Sequence, residues 1–241
     1  MRADALYYDD AIGVDNLQKL SVVKRYENSC YFKNPAEEFI TFLKTPNQLV
    51  PGGIEFSESE YARVAGIDEL SLKLTTGAAR SLELPSSFGI SFEAAAKVQD
   101  KWNQVNDDFK NILDLLIARR NWKKLLGLGS GLTPSGDDFL VGYIAAKKMD
   151  GIEIPFKLNL SSRHSGLSAT TPLSAHFLKH ALRGRFSDKI IGFIKDGDLS
   201  ILSFGESSGA ATAFGIIKGM EENDFLRSAA HTEKNNTEVE A

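Results

Sequence analysis

The stretch "GLGSGLTPSGDDFLVGY", Gly127 to Tyr143, decides how the rest of the chain is read. Gly127, Gly129 and Gly131 alternate with other residues. Pro134, Ser135 and Gly136 follow, then two adjacent carboxylates, Asp137 and Asp138, and then an apolar run. Glycine admits positive φ and lets another group approach the backbone closely. The motif therefore reads as a tight loop feeding a helix from Gly136 to about Lys148, closed by Asp150-Gly151. Ser135 is placed to cap that helix, and Ser135-x-x-Asp138 is a variant capping box with Asp where Glu is usual. Acids in a first turn also suit the helix dipole. Capping accounts for one acid, not two, and a single turn needs fewer than three glycines, each costing up to ~1 kcal/mol of backbone freedom relative to Ala.

A binding role for this loop carries a conflict. A glycine-rich loop at a helix N-terminus cradles anions, whereas two carboxylates repel them. Three resolutions stand open: a Mg2+ between the acids and a phosphate, one Asp turned away to hold the loop, or acids that grip the amide end of a ligand whose anionic end meets backbone N–H groups. The run is not a nucleotide P-loop, because no Lys follows its last Gly, and it lacks the G-x-G-x-x-G order of a dinucleotide site.

Downstream, "SATTPLSAHFLKHALRGRFS" bunches hydroxyls at Ser168, Thr170, Thr171 and Ser174 before an apolar helix that runs from Thr171-Pro172 to Leu182 and ends at Gly184. Thr170, Thr171 and Ser174 either cap that helix or donate to an anion, with Arg183 or Arg185 supplying charge at a second site. His176 and His180 have metal-pair spacing but no third ligand beside them, which favours a structural role. "FSDKIIGFIKDGD" is a further short helix. "SFGESSGAATAFGIIKGM" starts a last helix at Ser207 or Ser208. Its Ala210, Ala211, Ala213 and Gly215 call for a closely packed neighbour, the motif helix being the candidate, and Ser207, Ser208 and Gly209 can present a second helix N-terminus to the same ligand.

Upstream the texture differs. "SVVKRYE", "EFITFLK" and "LSLKLT" read as strands, the last with Leu70, Leu72 and Leu74 on one side. "TPNQLVPGGIEF" reads as turn or loop, and Ser57 to Gly66 as a short helix with Ser57 as cap and Glu60 three residues on. From Phe92 to Arg120, the spacing of Val98, Trp102, Val105, Phe109, Ile112, Leu115 and Leu116 gives one long amphipathic helix or two shorter ones. The expected fold is α+β: a mostly β N-terminal region over 1–90, a helical region over 91–225 carrying the motif, and a disordered polar tail over 226–241.

The chain has 241 residues, 42% hydrophobic and 25% charged, ordinary for a soluble globular protein. A net charge of −4 points to no nucleic-acid or anionic-membrane partner. Cys30 is the single cysteine, so no internal disulfide forms and a reducing, cytoplasmic setting is expected. No stretch approaches the ~20 apolar residues needed to span a bilayer.

With these stretches in view, the chain resembles a family long catalogued as a domain of unknown function, whose hallmark G-L-G-x-G-L-T-P-S-G-D-D is unbroken here from Gly127 to Asp138. The family's T-x-x-S helix is matched by "TTPLSAHFLKHALRG", its late Gly-x-S-S-G by "GESSG" (many members have His where Glu206 stands) and its proline-glycine turn by "LVPGGI". Members include a small subunit of oxamate carbamoyltransferase, an enzyme of allantoin breakdown that works with two larger chains and exchanges a carbamoyl group between oxalurate and phosphate. The resemblance implies a carbamoyl-phosphate or oxalurate site, two larger partner subunits, no nucleic acid and no membrane. In such a site the loop from Gly129 through Ser130 and Gly131 to Gly136 would hold phosphate or the carbonyl oxygen. Thr133 and Ser135 would add hydroxyl donors, and Asp137 or Asp138 would orient the carbamoyl NH2 or take a proton. The alternative is a non-catalytic ligand-binding or scaffold subunit, which the same loop would serve.

Overall fold

The structure is a computed structural model that describes residues 1–13, 17–45, 49–105, 109–158, 160 and 169–239, with side chains to 226. The fold is α+β. The chain forms two compact units, Met1–Leu84 with Arg185–Gly192, and Pro85–Gly184 with Phe193–Ala241. No helix among the described residues is long and apolar enough to cross a membrane.

The first unit is built on a seven-stranded sheet: β1 (Arg2–Asp9), β2 (Leu20–Arg25), β3 (Ser29–Lys33), β4 (Phe39–Lys44), β5 (Gly53–Phe56), β6 (Glu69–Leu70) and β7 (Lys73–Arg80), in the order β6-β2-β3-β4-β5-β1-β7. The β4–β5 and β1–β7 pairs are parallel, and the others antiparallel. Helix α1 (Glu58–Ala65) is capped as its sequence indicates, with Ser57 Oγ accepting from Glu60 N. Its Tyr61, Val64 and Ala65 join Phe32, Phe42, Ile54 and Phe56 in one apolar core, with the Phe32 and Phe42 rings 4.6 Å apart.

Two expectations for this unit are corrected. "LSLKLT" is not one strand, because Leu70 ends β6 at one edge of the sheet and Lys73 begins β7 at the other. Leu72 N instead donates to Leu17 O at 2.8 Å, and Met1 N to Ser71 O at 2.5 Å. Only Ser71 and Leu72 separate the two edges in sequence, so the sheet curls round on itself and leaves less open edge. Second, the proline-glycine turn is followed directly by β5 rather than more loop. Gly52, at φ 74°, gives its N–H to the buried Asp9 carboxylate at 2.7 Å, and a Cβ on Gly53 would lie 2.6 Å from Val50 O. The later return of 185–192 to this unit has no compositional signature. It is held by Phe186 N to Leu82 O at 2.8 Å, by Arg80 to Asp188 at 2.6 Å, and by Arg185 to Asp9 and Asp10. Arg185 is thus committed to structure in the first unit and supplies no charge to the hydroxyl-rich helix start.

The second unit is helical. The stretch from Phe92 forms two helices, α2 (Phe92–Asn103) and α3 (Lys110–Ala118), with 106–108 outside the described residues. Val98 and Trp102 are buried as their spacing indicates, but in α3 the buried residues are Leu113 and Ile117, while Ile112 and Leu115 stand about half exposed. Then come α4 (Ser135–Met149), α5 (Pro172–Leu182) and α6 (Asp188–Asp196), which starts in the first unit and ends in the second. The last helix, α7 (Ser208–Val239), continues through residues that composition marks as a polar tail.

The small residues of α7 lie against α4. A Cβ on Gly215 would sit 2.1 Å from Phe139 O, one on Gly219 2.6 Å from Ala146 Cβ, and one on Gly142 1.9 Å from Thr212 O. The two helices run in the same direction: Ser135 meets Ser207 at their starts, and Asn223 Nδ2 reaches Ala146 O at 3.1 Å near their far ends. Overpacked cores lose about 1–3 kcal/mol, more when backbone must move. Gly142→Ala is therefore expected to lower the melting temperature by on the order of 5 °C or more. Gly66→Ala, whose Cβ would meet nothing closer than 3.6 Å, should leave it nearly unchanged in the same denaturation scan. Equal melting of both variants would contradict backbone contact between α4 and α7.

Candidate functional site

The motif loop answers part of the question its glycines raise. Gly127 (φ 75°) is needed because the chain crosses itself there, and a Cβ would lie 2.0 Å from Ala169 O. Gly136 packs on Leu125 O in the same way, at 2.1 Å. Gly131 differs, having φ 87° and open space where a Cβ would be. The N–H groups of Ser130, Gly131 and Thr133 make no hydrogen bond within the chain among the described residues, while those of Gly136, Asp137 and Asp138 are taken up by Leu128 O and Pro134 O. Ser130 and Gly131 are exposed at the loop tip. The donors left for a ligand therefore sit on 130–133, and Gly136 contributes none.

Ser135 is not the cap of α4. Pro134 occupies the cap position, and Ser135 is the first helical residue. The Pro134 carbonyl accepts from Asp137 N at 2.9 Å, and the Ser135 hydroxyl turns instead to Ser207 Oγ at 3.0 Å. Thr133 Oγ1 and Ser208 Oγ pair likewise at 3.1 Å, so the starts of α4 and α7 are joined by two hydroxyl pairs. The start of α5 is tied to the same loop. Thr171 caps α5 by accepting from Ser174 N at 3.1 Å and donates to Leu132 O, while Thr170 donates to Asp137. Thr133, Ser135, Thr170, Thr171, Ser174, Ser207 and Ser208 are thereby gathered around Asp137 and Asp138. Gly209 packs closely, since a Cβ there would lie 1.9 Å from Ile201 O, and its N–H donates to Phe204 O at 2.9 Å. Arg183 closes the opposite end of α5, and Ser168 lies outside the described residues. The His176 and His180 rings lie 4.5 Å apart, tilted by 53°, and among the described residues no three His, Cys, Asp or Glu side chains form a candidate metal centre.

The two acids have different surroundings. Asp137, 1% exposed, takes Gly127 N at 2.8 Å on one oxygen and Thr170 on the other, and so holds the loop to α5. Burial raises its pKa, and these hydrogen bonds partly offset that. Asp138 Oδ2 is shut off from water, with no hydrogen-bond partner among the described residues. Burial pushes the Asp138 carboxyl up to about 8, aided by the negative charge of Asp137 and only partly opposed by the nearby hydroxyls of Ser208 and Thr133. A helix N-terminus favours a nearby anion by about 0.3–1 kcal/mol, less than the cost of burying a carboxylate, so burial wins.

A polar network further along the same helix pair is not legible in the sequence. Lys147, 1% exposed in an otherwise apolar stretch, donates to Asn223 Oδ1 at 2.7 Å, lies 3.4 Å from Glu222, and sits over the Tyr143 ring. Tyr143 OH donates to Glu222. Burial lowers the lysine's pKa and raises the tyrosine's. Nothing in "YIAAKKM" tells Lys147 from its exposed neighbour Lys148, because the distinction depends on where α7 lies.

For Asp138 the sign of the pH effect follows from the native pKa lying above the unfolded one. The native state holds a proton that the unfolded chain releases near pH 3.8, so this group destabilises the fold progressively as pH rises toward about 8, and fully above it. Asp138→Asn, which cannot ionise, should melt above wild type by on the order of 5 °C near pH 9 and by little near pH 4. A gap that does not change with pH would place an ordinary, ionised carboxylate at this position.

No solved structure matches the chain. Residues 125–220 match the family model described as oxamate carbamoyltransferase subunit AllH. That span takes in the glycine loop, the carboxylate pair and the hydroxyls of all three helix starts. Over that span the chain is similar to the family of oxamate carbamoyltransferase subunit AllH.

Proposed function

We propose that the chain is the subunit of an oxamate carbamoyltransferase assembly that holds the carbamoyl group and its phosphate partner at the joined helix starts. The observation that carries this reading is Asp138, a partly buried residue whose Oδ2 is closed to water and without a partner among the described residues, set among the hydroxyls of Thr133, Ser207 and Ser208 beside free loop N–H groups. Carbamoyl transfer asks for donors to the phosphate and the carbonyl oxygen and for a group that manages one proton. The N–H groups of 130–133 and the hydroxyls supply the donors. In the direction that consumes oxalurate, an oxygen of hydrogen phosphate attacks the carbamoyl carbon and the bond to the ureido nitrogen breaks. Asp138, protonated at neutral pH, gives its proton to the departing oxamate nitrogen and regains one from the attacking hydrogen phosphate. The reverse reaction runs through the same steps backwards. Asp137, with both oxygens engaged, positions the loop. The assembly would include two larger partner subunits, and the reaction would belong to allantoin breakdown.

A second reading, a non-catalytic scaffold subunit, is favoured by a different surface of the helical unit. A groove of about 560 Å3 is lined by Trp102, Trp122, Phe214 and Phe225, the last of these largely exposed. In an assembly reconstituted with its partner chains, the first reading expects Asp138→Asn to lower kcat/KM by about 10²-fold or more and Ser208→Ala by about tenfold, with assembly intact by sizing chromatography. Undiminished turnover in Asp138→Asn would leave the scaffold reading.

A further inference from the structure

The reading of the joined helix starts as an anion site leaves a question about charge: how a second negative group is admitted next to Asp137 and Asp138. The geometry bears on it. The carboxylate of Asp137 is spent on Gly127 N and Thr170. Asp138 Oδ2 has no hydrogen-bond partner among the described residues and is closed to water. Ser174, 2% exposed, places its buried hydroxyl near Asp137 and helps to hold down the pKa of that acid. An oxygen with no donor is costly to bury as an ion and far less so as an acid. A protonated carboxyl gains a donor, and with the loop N–H groups it can then share one acceptor such as an oxyanion.

Resting on that reading, we infer that Asp138 meets an incoming oxyanion as a neutral acid and donates a hydrogen bond to it, so that under alkaline conditions each anion enters with one proton. Under those conditions the proton removes the charge of Asp138 as the anion enters, and the repulsion between that carboxylate and the ligand does not arise. Among the described residues the charged and titratable groups around Asp138 are few. Asp137 on α4 opposes its ionisation. Helix α7 and the loop contribute the uncharged Ser208 and Thr133. Helix α5 carries His176, Lys179 and His180, and Glu206 precedes α7. With the free carboxyl titrating at about 8, binding is indifferent to pH below that value and weakens about tenfold per pH unit above it.

The test uses the full chain and sulfate, which keeps one charge state across this range. Affinity is measured by titration calorimetry from about pH 6.5 to about pH 9.5, in paired buffers of different ionisation enthalpy so that protons are counted. The expected result is about one proton taken up per sulfate near pH 9.5, none near pH 6.5, and the tenfold-per-unit loss of affinity between. Asp138→Asn should bind sulfate with no proton uptake and no pH dependence. Wild-type binding without proton uptake near pH 9.5 would overturn the inference, as would no sulfate binding at any pH. The two proposals fail separately. PH-independent sulfate binding with turnover lost in Asp138→Asn removes this one and leaves carbamoyl transfer, whereas proton-coupled binding with undiminished turnover does the reverse.

Discussion

The helical unit depends on backbone meeting backbone between α4 and α7. Gly142, Gly215 and Gly219 let the two helices approach until carbonyl oxygens lie where side chains would otherwise stand. Because the helices run in the same direction, their N-termini arrive together. Two partial positive charges then share one end, and hydroxyl pairs Thr133–Ser208 and Ser135–Ser207 close it. An antiparallel pair with the same contacts would put a helix C-terminus beside Asp138 and make an anion site unfavourable there. At the other end the same closeness buries Lys147, which is tolerated because Asn223 and Glu222 come within reach from α7.

Adjacent residues of one motif thereby acquire different chemistry. Asp137 and Asp138 are indistinguishable as letters, but one residue step along the helix rotates them by about 100° relative to each other. Asp137 meets a backbone N–H and a threonine hydroxyl. Asp138 meets a wall of hydroxyls that are paired with one another. The conflict between a phosphate cradle and two carboxylates is eased when one acid is a fastener and the other carries its proton. The glycines divide similarly: Gly127 and Gly136 make room for the chain itself, and Gly131 alone of the motif's glycines leaves room for something else.

Helix ends were readable wherever a residue acts on its own neighbours. Ser57 before α1, Thr171 before α5 and Gly184 beyond it all stand as local chemistry requires. The small-residue face of α7 announced a close partner, and α4 is that partner. The alternation of Leu70, Leu72 and Leu74 misled because alternation reports burial, not pairing; all three contact or approach the core while the chain passes from one sheet edge to the other. Ser135 misled for a related reason. Its capping position is defined by local spacing, but a hydroxyl from α7, distant in sequence, competes for it. The return of 185–192 to the β unit and the buried Lys147 depend wholly on distant partners, and no local pattern encodes them.

The central claim is that packing at the joined helix starts keeps Asp138 a neutral acid at physiological pH. The most direct measurement is the infrared spectrum of its carboxyl, isolated as the difference between wild type and Asp138→Asn across a pH series. A protonated carbonyl band present at neutral pH and lost with a midpoint near 8 is the result this account requires. A carboxylate band at neutral pH, with protonation only near the ordinary 3.8, would contradict it and return Asp138 to the role of a simple helix-terminal acid.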